Sequence, residues 1–367
     1  MRILLVTDVP PTSGIGRYVT SLSTEFKKIS GQHADVFSVN SQNMERARVG
    51  FLKRIGNYPF FNFSFRTLEI IVKALSSYRI PSDYEIYHLA DATLSSAARR
   101  IKPCVVTVHD LIPFMHSIRM SSTEIFPMIG MKSVVHADRA LCDSESSRKD
   151  LLHFTDIDPK KTRVIYLGVD HSLFKRRDKR RNRLALNLPA DRVIVLNVGT
   201  EETRKNMPTL FKAFQMLLKN IPEAMLIRIG RKSNQSKRLI ESIGIEDRVI
   251  YRYPSAEEVA YYYNAADILC FPSFCEGFGL PLLEAMASGL PVVAGDRSST
   301  PEVVGDTAIL LDPFDVEGFT HSMYEISTNK ELRDTVSGNE FRRSQNFSWS
   351  RCARETLKVY KEVLEGG

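Results

Sequence analysis

The amino-acid sequence predicts an α/β protein with two Rossmann-like domains, each built on a doubly wound parallel sheet. The chain has 367 residues, and at roughly 100 to 200 residues per domain this length suggests two domains. Short apolar runs alternate with amphipathic stretches in both halves, which is the pattern of successive βαβ units. Helix boundaries are also legible. Ser255 and Glu258 form a predicted capping box, while Pro281 and Gly289 begin and end another predicted helix.

The predicted strands are near-continuously apolar or β-branched, as expected for strands covered by helices on both faces. In the first half they are Ile3–Thr7, Asp35–Val39, Glu85–His88, Val105–Val108 and Ala140–Cys142. The helices predicted between them cover residues 15–29, 65–78, 92–101 and 121–137. In the second half the predicted strands are Val193–Val198, Met225–Ile229, Arg248–Tyr251, Ile268–Phe271 and Pro291–Ala294.

A strongly basic segment marks the predicted domain boundary. Residues 174–183 (FKRRDKRRNR) contain seven Lys or Arg in ten positions, and such a charge run is usually a solvated face or a linker. We therefore predict a first domain over residues 1–172 and a second over residues 173–345. Residues 346–367 follow, in which Ser350–Glu365 has helical periodicity.

Composition and charge exclude several classes of protein. Apolar residues make up 43% and charged residues 25%, a mix typical of soluble globular proteins. No run approaches the ~18 apolar residues of a membrane span, and Asp8 comes too early for a signal peptide, so we expect a cytoplasmic protein. The five cysteines form no C-x-x-C pair and are predicted to be buried thiols.

The net charge is unevenly distributed along the chain. Of the total of +7, residues 1–175 carry +6, from 23 Lys and Arg against 17 Asp and Glu. This asymmetry predicts that the first half meets an acidic partner. We expect no nucleic acid among the partners.

Two loops at predicted carboxyl ends of strands carry charged residues, and ligands of doubly wound sheets bind at such loops. After Val193–Val198, Arg204 and Lys205 stand beside the start of a helix, whose N-terminus itself favours anions. This arrangement predicts a diphosphate site. The alternative is a solvated loop that happens to be basic.

The second of these loops is the more specific one. Gly277 and Gly279 permit a tight turn, and the N–H groups of residues 278–280 would then face a phosphate from the head of the next helix. Glu276 precedes this turn and Glu284 lies in the first full turn of the helix, so both carboxylates are predicted to face one crevice. A role for Glu284 as a helix-dipole partner alone would leave Glu276 unexplained.

Most of the second half resembles a known family. The family-4 retaining glycosyltransferases of GT-B fold have a donor-site signature similar to EGFGLPLLEAMASGLPVVAGDRSSTPEVVGDTAILLDP, and the resemblance extends through VGTEETRKN and AEEVAYYYNAADILCFPS. In the first half it rests on TDVPPTSGIGRY, VTVHDLIPF and VIYLGVDHSLF, whereas residues 40–80 resemble nothing in the family. The resemblance implies two domains facing a cleft, with the acceptor on the first and a nucleotide sugar on the second. It also implies a last helix that crosses back to the first domain.

The resemblance also implies roles for residues of the second domain. Arg204 and Lys205 would hold the donor diphosphate, and Glu284 would bind the ribose hydroxyls. Glu276 would contact the sugar at the reacting centre as a catalytic residue. A retaining transfer passes through an oxocarbenium-like transition state and needs a stabilised leaving group. The amides expected to cover the phosphates and the sugar belong to Gly277, Phe278, Gly279 and Leu280.

In the first domain the resemblance concerns one histidine and one glycine-containing loop. The family places His109, at the end of a predicted strand, beside the transferred sugar, and we predict that it is catalytic. The loop with Gly14 and Gly16 would touch the donor phosphate or the acceptor, or serve only as a helix cap. Its dinucleotide fingerprint is incomplete because Val19 stands where Gly or Ala is needed. His88 is predicted to be structural.

Neither a metal nor another cofactor is expected. Fixed cations and helix amides already meet the leaving diphosphate, and the one Asp-x-Asp pair, Asp156 and Asp158, reads as a turn before a strand near Val164. GDP-mannose is the first expected donor because HDLIP resembles mannosyltransferases of the family, while UDP- and dTDP-sugars remain open. Two other functions also remain open, a nucleotide-sugar isomerase of the same fold and a non-catalytic nucleotide-sugar-binding subunit.

Residues 46–66 combine five Lys or Arg with five Phe and one Tyr and contain no Asp or Glu. Basic and aromatic side chains suit the headgroup region of an anionic membrane. We therefore expect peripheral association with the inner face of a membrane and a glycan or lipid-linked acceptor. The alternative is a loop and helix packed on its own domain. The four clustered cations of this segment are Arg46, Arg48, Lys53 and Arg54.

Overall fold

A computed structural model describes residues 1–10, 13–29, 31–39, 80–112 and 130–366. The chain divides into two compact units. The first comprises Met1–Leu167 together with Trp349–Gly367, and the second comprises Gly168–Ser348. Each unit contains one six-stranded sheet in which all pairings are parallel. The predicted fold class of two Rossmann-like sheets is therefore confirmed.

The sheet of the first unit has the strand order β2-β1-β3-β4-β5-β6. Its strands are β1 (Arg2–Thr7), β2 (His33–Ser38), β3 (Ile86–Leu89), β4 (Cys104–Val108), β5 (Arg139–Cys142) and β6 (Thr162–Val164). The α-helices that accompany them in chain order are α1 (Gly14–Lys28) and α2 (Glu145–Phe154). Shorter 3₁₀ helices cover Ala92–Arg99, Ser133–His136 and Pro159–Lys161. Strands β3 and β4 are buried along their whole length, as expected for strands covered on both faces.

Three predicted helices of the first half differ from the structure or lie wholly or largely outside the described residues. The stretch predicted as a helix over 92–101 is a 3₁₀ helix, begun by Asp91, whose side chain accepts from the Thr93 N–H at 2.6 Å. The predicted helix over 65–78 lies outside the described residues, as does the predicted helix over 121–137 up to residue 129.

The second unit has the strand order β12-β11-β10-β7-β8-β9. Its strands are β7 (Ile194–Val198), β8 (Met225–Ile229), β9 (Val249–Arg252), β10 (Ile268–Phe271), β11 (Val292–Gly295) and β12 (Ile309–Leu311). Its α-helices are α3 (Lys179–Ala185), α4 (Met207–Leu217), α5 (Asn234–Ser242), α6 (Ala256–Ala265), α7 (Leu280–Ser288), α8 (Thr300–Val304), α9 (Val316–Thr328) and α10 (Lys330–Ser344). The strand order reverses between β7 and β10, and a crevice for ligands forms at such a point. The two loops singled out in the sequence follow these two strands.

The basic segment 174–183 is a largely solvated face and not a linker, since five of its seven cations are exposed. Helix α3 begins within it because the Asp178 carboxylate accepts from the Arg181 N–H at 2.7 Å. Arg183 is buried, and its guanidinium donates to the Ala265 carbonyl at 2.8 Å and to the Asp267 carboxylate at 2.7 Å. A count of charges did not reveal these partners, although Asp178 is a good helix-capping residue.

The last helix, α11 (Trp349–Glu365), belongs to the first unit. Its Tyr360 ring packs against Phe26 of α1 with centroids 5.9 Å apart, and the Tyr360 hydroxyl bonds to His88 Nδ1 at 2.5 Å. The structure thus divides the chain after Leu167 and again after Ser348, where we had placed the domain ends at residues 172 and 345. The helical periodicity of this final stretch is confirmed.

The five cysteines are free and buried, as predicted. The capping box of α6 is also present, with Ser255 and Glu258 each bonded to the other's backbone N–H. Within the described part of the chain, no helix has the length and apolarity needed to span a membrane.

Candidate active site

The loop after β7 carries the two adjacent cations and is tied to the neighbouring loops. Arg204 and Lys205 lie in a short 3₁₀ helix that ends at Asn206, which has a left-handed backbone with φ of 52°. The Asn206 side chain donates to the Pro313 carbonyl at 2.6 Å and to the Pro272 carbonyl at 3.2 Å. These bonds attach the β7 loop to the loops that follow β10 and β12, so the cations are held by three strand ends.

Arg204, Lys205 and Glu276 form one ion-pair cluster at the β7 and β10 ends. The Lys205 ammonium donates to both Glu276 carboxylate oxygens, at 2.6 and 2.8 Å, and Arg204 Nη1 donates to Glu276 Oε2 at 2.9 Å. Arg204 Nε also pairs with Glu202 at 2.7 Å. The structure therefore brings Glu276 to the two cations, which were predicted in a different loop, and it adds that two carboxylates neutralise them.

The cluster is buried as well as paired. Lys205 and Glu276 are each only 7% exposed. Burial lowers the pKa of Lys205, while the Glu276 carboxylate opposes this shift. Two charges removed from water in this way are stable only when each keeps its partner. A polyanion that enters the site would thus find preorganised cations and would compete with Glu276 for them.

The turn between Glu276 and α7 is held by two serines of the β11 loop. Ser299 Oγ donates to the Glu276 and Phe278 carbonyls, each at 3.0 Å, and Ser298 Oγ donates to the Glu276 carbonyl at 2.7 Å. Gly279 has φ of 102°, a backbone that only glycine adopts readily, and leads directly into α7 at Leu280. The predicted glycine turn is thus present. Helix α7 begins directly after it, so the helix N-terminus, which favours an anion, lies at the end of the β10 loop.

Glu284 lies on α7 one position beyond its first turn and is 4% exposed. Its Oε2 accepts a hydrogen bond of 2.8 Å from the hydroxyl of Tyr263, a buried residue of α6. The sequence analysis missed Tyr263 because it stands among apolar residues of a predicted helix and reads as core. The only available signal was that a buried tyrosine hydroxyl usually has a partner.

A buried arginine donates hydrogen bonds to the backbone of the β7 loop, and the sequence did not reveal this role. Arg228 of β8 is fully buried and donates to the Gly199 carbonyl at 2.6 Å and to the Thr200 carbonyl at 3.2 Å. Its Nε lies 3.8 Å from Glu201, whose carboxylate accepts from the Tyr251 hydroxyl at 2.6 Å. An arginine inside a predicted buried strand was the signal, because such a charge needs partners.

A cavity of about 390 Å³ is lined in part by residues of the β7 loop. Its lining includes Glu202 and Thr203 of the β7 loop together with Phe274 and Phe314. The two phenyl rings are nearly parallel, with centroids 5.8 Å apart. Neither Lys205 nor Glu276 lines this cavity, whereas Glu202, the second partner of Arg204, does.

The glycine-containing loop of the first unit caps α1. Ser13 Oγ accepts from the Gly16 N–H at 2.9 Å, and Gly14 is the first residue of the helix. The helix-cap alternative is therefore present in the structure. A contact of Gly14 and Gly16 with donor phosphate or acceptor stays a prediction.

His109 stands at the carboxyl end of β4 with both ring nitrogens engaged. Nδ1 lies 2.6 Å from Asp143 Oδ2, and Nε2 lies 2.9 Å from the Ala90 carbonyl oxygen. Burial alone would lower the pKa of His109, but the charge and hydrogen bond of Asp143 raise it to about 9. Asp143 was missed, although it directly follows β5 and so reaches the same sheet edge as His109.

His88 is a buried structural residue, as predicted. Its ring lies between the Tyr360 hydroxyl and Thr107 Oγ1, which is 2.6 Å from Nε2. Burial and the nearby His109 charge lower the pKa of His88 to about 3, so this histidine is neutral at ordinary pH.

Two further predicted sites are the basic cluster of residues 46–54 and the Asp-x-Asp pair. Arg46, Arg48, Lys53 and Arg54 lie outside the described residues. Asp158 caps the 3₁₀ helix before β6 by accepting from the Lys160 N–H at 2.9 Å, so the Asp156 to Asp158 segment is the turn that we predicted. Over the described ranges, no group of three or more His, Cys, Asp or Glu is placed to hold a metal ion.

Comparison with known proteins identifies the family to which this arrangement belongs. Residues 12–173 match the model of Glycosyltransferase Family 4, and residues 178–343 match that of Glycosyl transferases group 1. D-inositol 3-phosphate glycosyltransferase from Kribbella flavida is 25% identical, over 96% of this chain and 91% of the relative. A relative of the same description from Nocardioides is 29% identical over 64% of this chain, and the match spans only 56% of that relative's length.

Solved structures agree on the fold. Sucrose-phosphate synthase from Thermosynechococcus elongatus has a TM-score of 0.80 at 22% identity, with all of both chains covered. HepE from Anabaena, solved with UDP and glucose, has a TM-score of 0.78 at 19% identity and covers 99% of this chain and 100% of its own. The two family matches span nearly the whole chain, and the chain therefore belongs to the family-4-like glycosyltransferases of GT-B fold.

Proposed function

We propose that this glycosyltransferase transfers a hexose with retention of anomeric configuration from a nucleotide-diphospho-sugar to a phosphate-bearing or lipid-linked glycan acceptor. The observation that carries the proposal is the buried cluster of Arg204, Lys205 and Glu276 beside the N-terminus of α7. Cations and helix amides fixed in advance stabilise a leaving diphosphate without any rearrangement at the moment of reaction. Such an arrangement meets the main electrostatic demand of the transfer.

The cluster suggests how the donor would bind. In the structure the Glu276 carboxylate is bonded to both cations. A donor diphosphate carries more charge than one carboxylate, so we propose that it takes over Arg204 and Lys205 and releases the Glu276 carboxylate toward the sugar. A carboxylate set free near the anomeric carbon would stabilise the positive charge of an oxocarbenium-like transition state. Glu284, fixed by Tyr263, would hold the ribose hydroxyls.

The proposed donor is GDP-mannose in the first instance, supported by the HDLIP segment at His109. A UDP-sugar is the main competitor, because HepE was solved with UDP and glucose. The relatives named for D-inositol 3-phosphate and for sucrose phosphate support an acceptor that carries phosphate. The excess of +6 in residues 1–175 fits such an acceptor. Residues 46–66 support the further proposal of peripheral binding to anionic membranes.

A thermal-shift screen tests the proposed donor site. GDP, UDP, GDP-mannose, UDP-glucose and a dTDP-sugar are compared, with AMP as the control that lacks a diphosphate. A nucleotide at 100 times its Kd stabilises the folded protein by about 2.7 kcal/mol, which raises the melting temperature visibly. The proposal predicts that one base is favoured and that both its diphosphate and its nucleotide sugar stabilise. No stabilisation by any diphosphate would refute it.

Removal of the Tyr263 hydroxyl is expected to weaken nucleotide binding with little effect on turnover. Tyr263→Phe deletes one hydrogen bond to the buried Glu284 carboxylate, and bonds to charged groups contribute about 1.5 to 3 kcal/mol. The Kd of the nucleoside diphosphate should rise about tenfold, with kcat within about twofold of wild type. Isothermal titration and steady-state kinetics measure the two quantities. Tyr261→Phe, on an exposed neighbouring tyrosine, is the matched control, and equal affinity in both variants would contradict the role.

The transfer is expected to proceed without a divalent metal. In the proposed donor complex, Arg204 and Lys205, which pair with Glu276 in the structure, would meet the leaving diphosphate and supply the positive charge that Mg²⁺ or Mn²⁺ supplies elsewhere. Initial rates in excess EDTA should match those in Mg²⁺ or Mn²⁺ within a few-fold. A strict metal requirement would contradict the assignment of the two cations to the diphosphate.

A further inference from the structure

The ring of His109 has no nitrogen left to exchange a proton with a substrate. A backbone carbonyl only accepts hydrogen bonds, so the 2.9 Å contact with Ala90 O requires a proton on Nε2. The 2.6 Å contact between Nδ1 and Asp143 Oδ2 requires a second proton between those atoms, because two facing lone pairs repel each other. His109 and Asp143 therefore hold both protons of an imidazolium and carboxylate pair.

Charged and titratable groups of several neighbouring elements lie near this pair, and together they favour the protonated ring. The Cys352 thiol of α11 lies near Asp143, and burial raises its pKa, so it adds no charge. Asp143 follows β5, and Asp91, before the 3₁₀ helix after β3, adds a second negative charge that raises the pKa of His109. The neighbouring ring of β3, His88, is neutral and so adds no opposing charge. Tyr18 of α1 stands edge-on to His109 with centroids 5.0 Å apart, and burial raises its pKa, so it also remains neutral.

The turn after β5 holds the backbone of His109 as well as its ring. Ser147 Oγ, in the first turn of α2, donates to the His109 carbonyl at 3.0 Å. The side chain of Asp143 is 4% exposed, whereas that of His109 is 14% exposed. The Asp143 carboxylate is thus the more deeply buried member of the pair, and His109 keeps the larger exposed fraction.

We propose that Asp143 is a positioning residue of the transferase, which fixes the ring of His109 and keeps it doubly protonated. His109 then acts as a fixed positive charge at the carboxyl edge of the first sheet and is neither the general acid nor the general base of the reaction. The effect of this charge on catalysis rests on the proposed function. The protonation of the ring is a property of the protein alone.

The first test is an NMR titration of the wild-type protein labelled with ¹⁵N in the histidine rings, with His109→Gln used to assign the resonance. The expected result is that both ring nitrogens of His109 keep the shifts of an imidazolium up to pH 8 and change only near pH 9. In Asp143→Asn the same ring should titrate at or below about 6.5, the ordinary histidine value. Asp150→Asn, a nearby carboxylate of α2, is the matched control and should leave the titration unchanged.

The second test compares the pH dependence of kcat/KM in the same variants. Wild type and Asp150→Asn should show no inflection from this histidine between pH 6 and 8. Asp143→Asn should lose activity as pH rises, by about thirty-fold at pH 8 if its ring titrates at about 6.5, and should recover at pH 6. A merely structural role would lower activity equally at every pH.

A wild-type His109 that loses its proton below pH 7, or an Asp143→Asn ring with unchanged titration, would overturn the proposal. If Asp143→Asn fails to fold, the wild-type titration decides the question alone. If the protein consumes no nucleotide sugar, the proposed function fails, and the NMR titration still decides whether Asp143 holds the ring protonated.

Discussion

Replacement of Lys205 by alanine is expected to lower kcat/KM for the nucleotide sugar by about 10²- to 10³-fold. Lys205 donates to both oxygens of Glu276 and is the more deeply buried of the two cations of the cluster. If the donor diphosphate takes the place of Glu276, the variant loses a preorganised donor at the atom where negative charge develops, and such losses have this size. Initial-rate kinetics with the preferred donor measure the effect.

The same substitution is expected to destabilise the second unit. Without Lys205, the buried Glu276 carboxylate retains only Arg204, and breaking a buried ion pair costs about 3 to 5 kcal/mol. Lys205→Ala with Glu276→Gln removes both charges and should recover most of the stability without recovering activity. Denaturant unfolding of the single and double variants separates the two effects.

A matched control is available on the following helix. Lys212 of α4 is exposed, and Lys212→Ala should keep wild-type stability and kinetics. Wild-type turnover by Lys205→Ala, in a protein shown to be folded, would disprove the diphosphate assignment.

The two glutamates are expected to respond in opposite ways to replacement by glutamine. Glu276→Gln should depress kcat by about 10² or more, since it removes a carboxylate proposed to act on the transition state, and should leave the affinity for the nucleoside diphosphate intact or increased. An increase is the specific expectation of the structure, because the variant no longer competes for Arg204 and Lys205. Glu284→Gln should instead weaken binding of the nucleoside diphosphate, because the hydrogen bond from Tyr263 holds this carboxylate in place as a binding residue.

Isothermal titration with the nucleoside diphosphate and single-turnover kinetics with the nucleotide sugar distinguish the two roles. The reverse pattern, with weak binding in Glu276→Gln and slow chemistry in Glu284→Gln, would exchange the assignments. Loss of binding in both variants would place both carboxylates in nucleotide recognition and none at the sugar.

Local sequence patterns were sufficient to predict the elements that position the site. Strands Met225–Ile229 and Ile268–Phe271 agree with the prediction residue for residue, because buried parallel strands are continuously apolar. Strand β12 was missed, since it has three residues that are only partly buried. The sequence also predicted the loops after β7 and β10, because parallel strands place their carboxyl ends at one edge of the sheet.

The contacts within the site could not be predicted from the sequence. Arg204 and Glu276 stand 72 positions apart, and no local pattern reports that their side chains pair or that Glu276 neutralises the cations. Tyr263, Arg228 and Asp143 were missed for a related reason. Each lies in or beside an apolar run that reads as core, and its role depends on a partner from another strand or helix.

The most direct test of retaining transfer from a nucleotide sugar is the anomeric configuration of the first sugar released. Retaining glycosyltransferases with a bound donor slowly hydrolyse it, so ¹H NMR can follow wild type incubated with the preferred α-linked nucleotide sugar before the free hexose mutarotates. The structure and the family predict an α-hexose signal that grows first, and no release by Lys205→Ala above background. A β-hexose as the first product, or no consumption of any nucleotide sugar with or without acceptor, would contradict retaining transfer at the Arg204, Lys205 and Glu276 cluster.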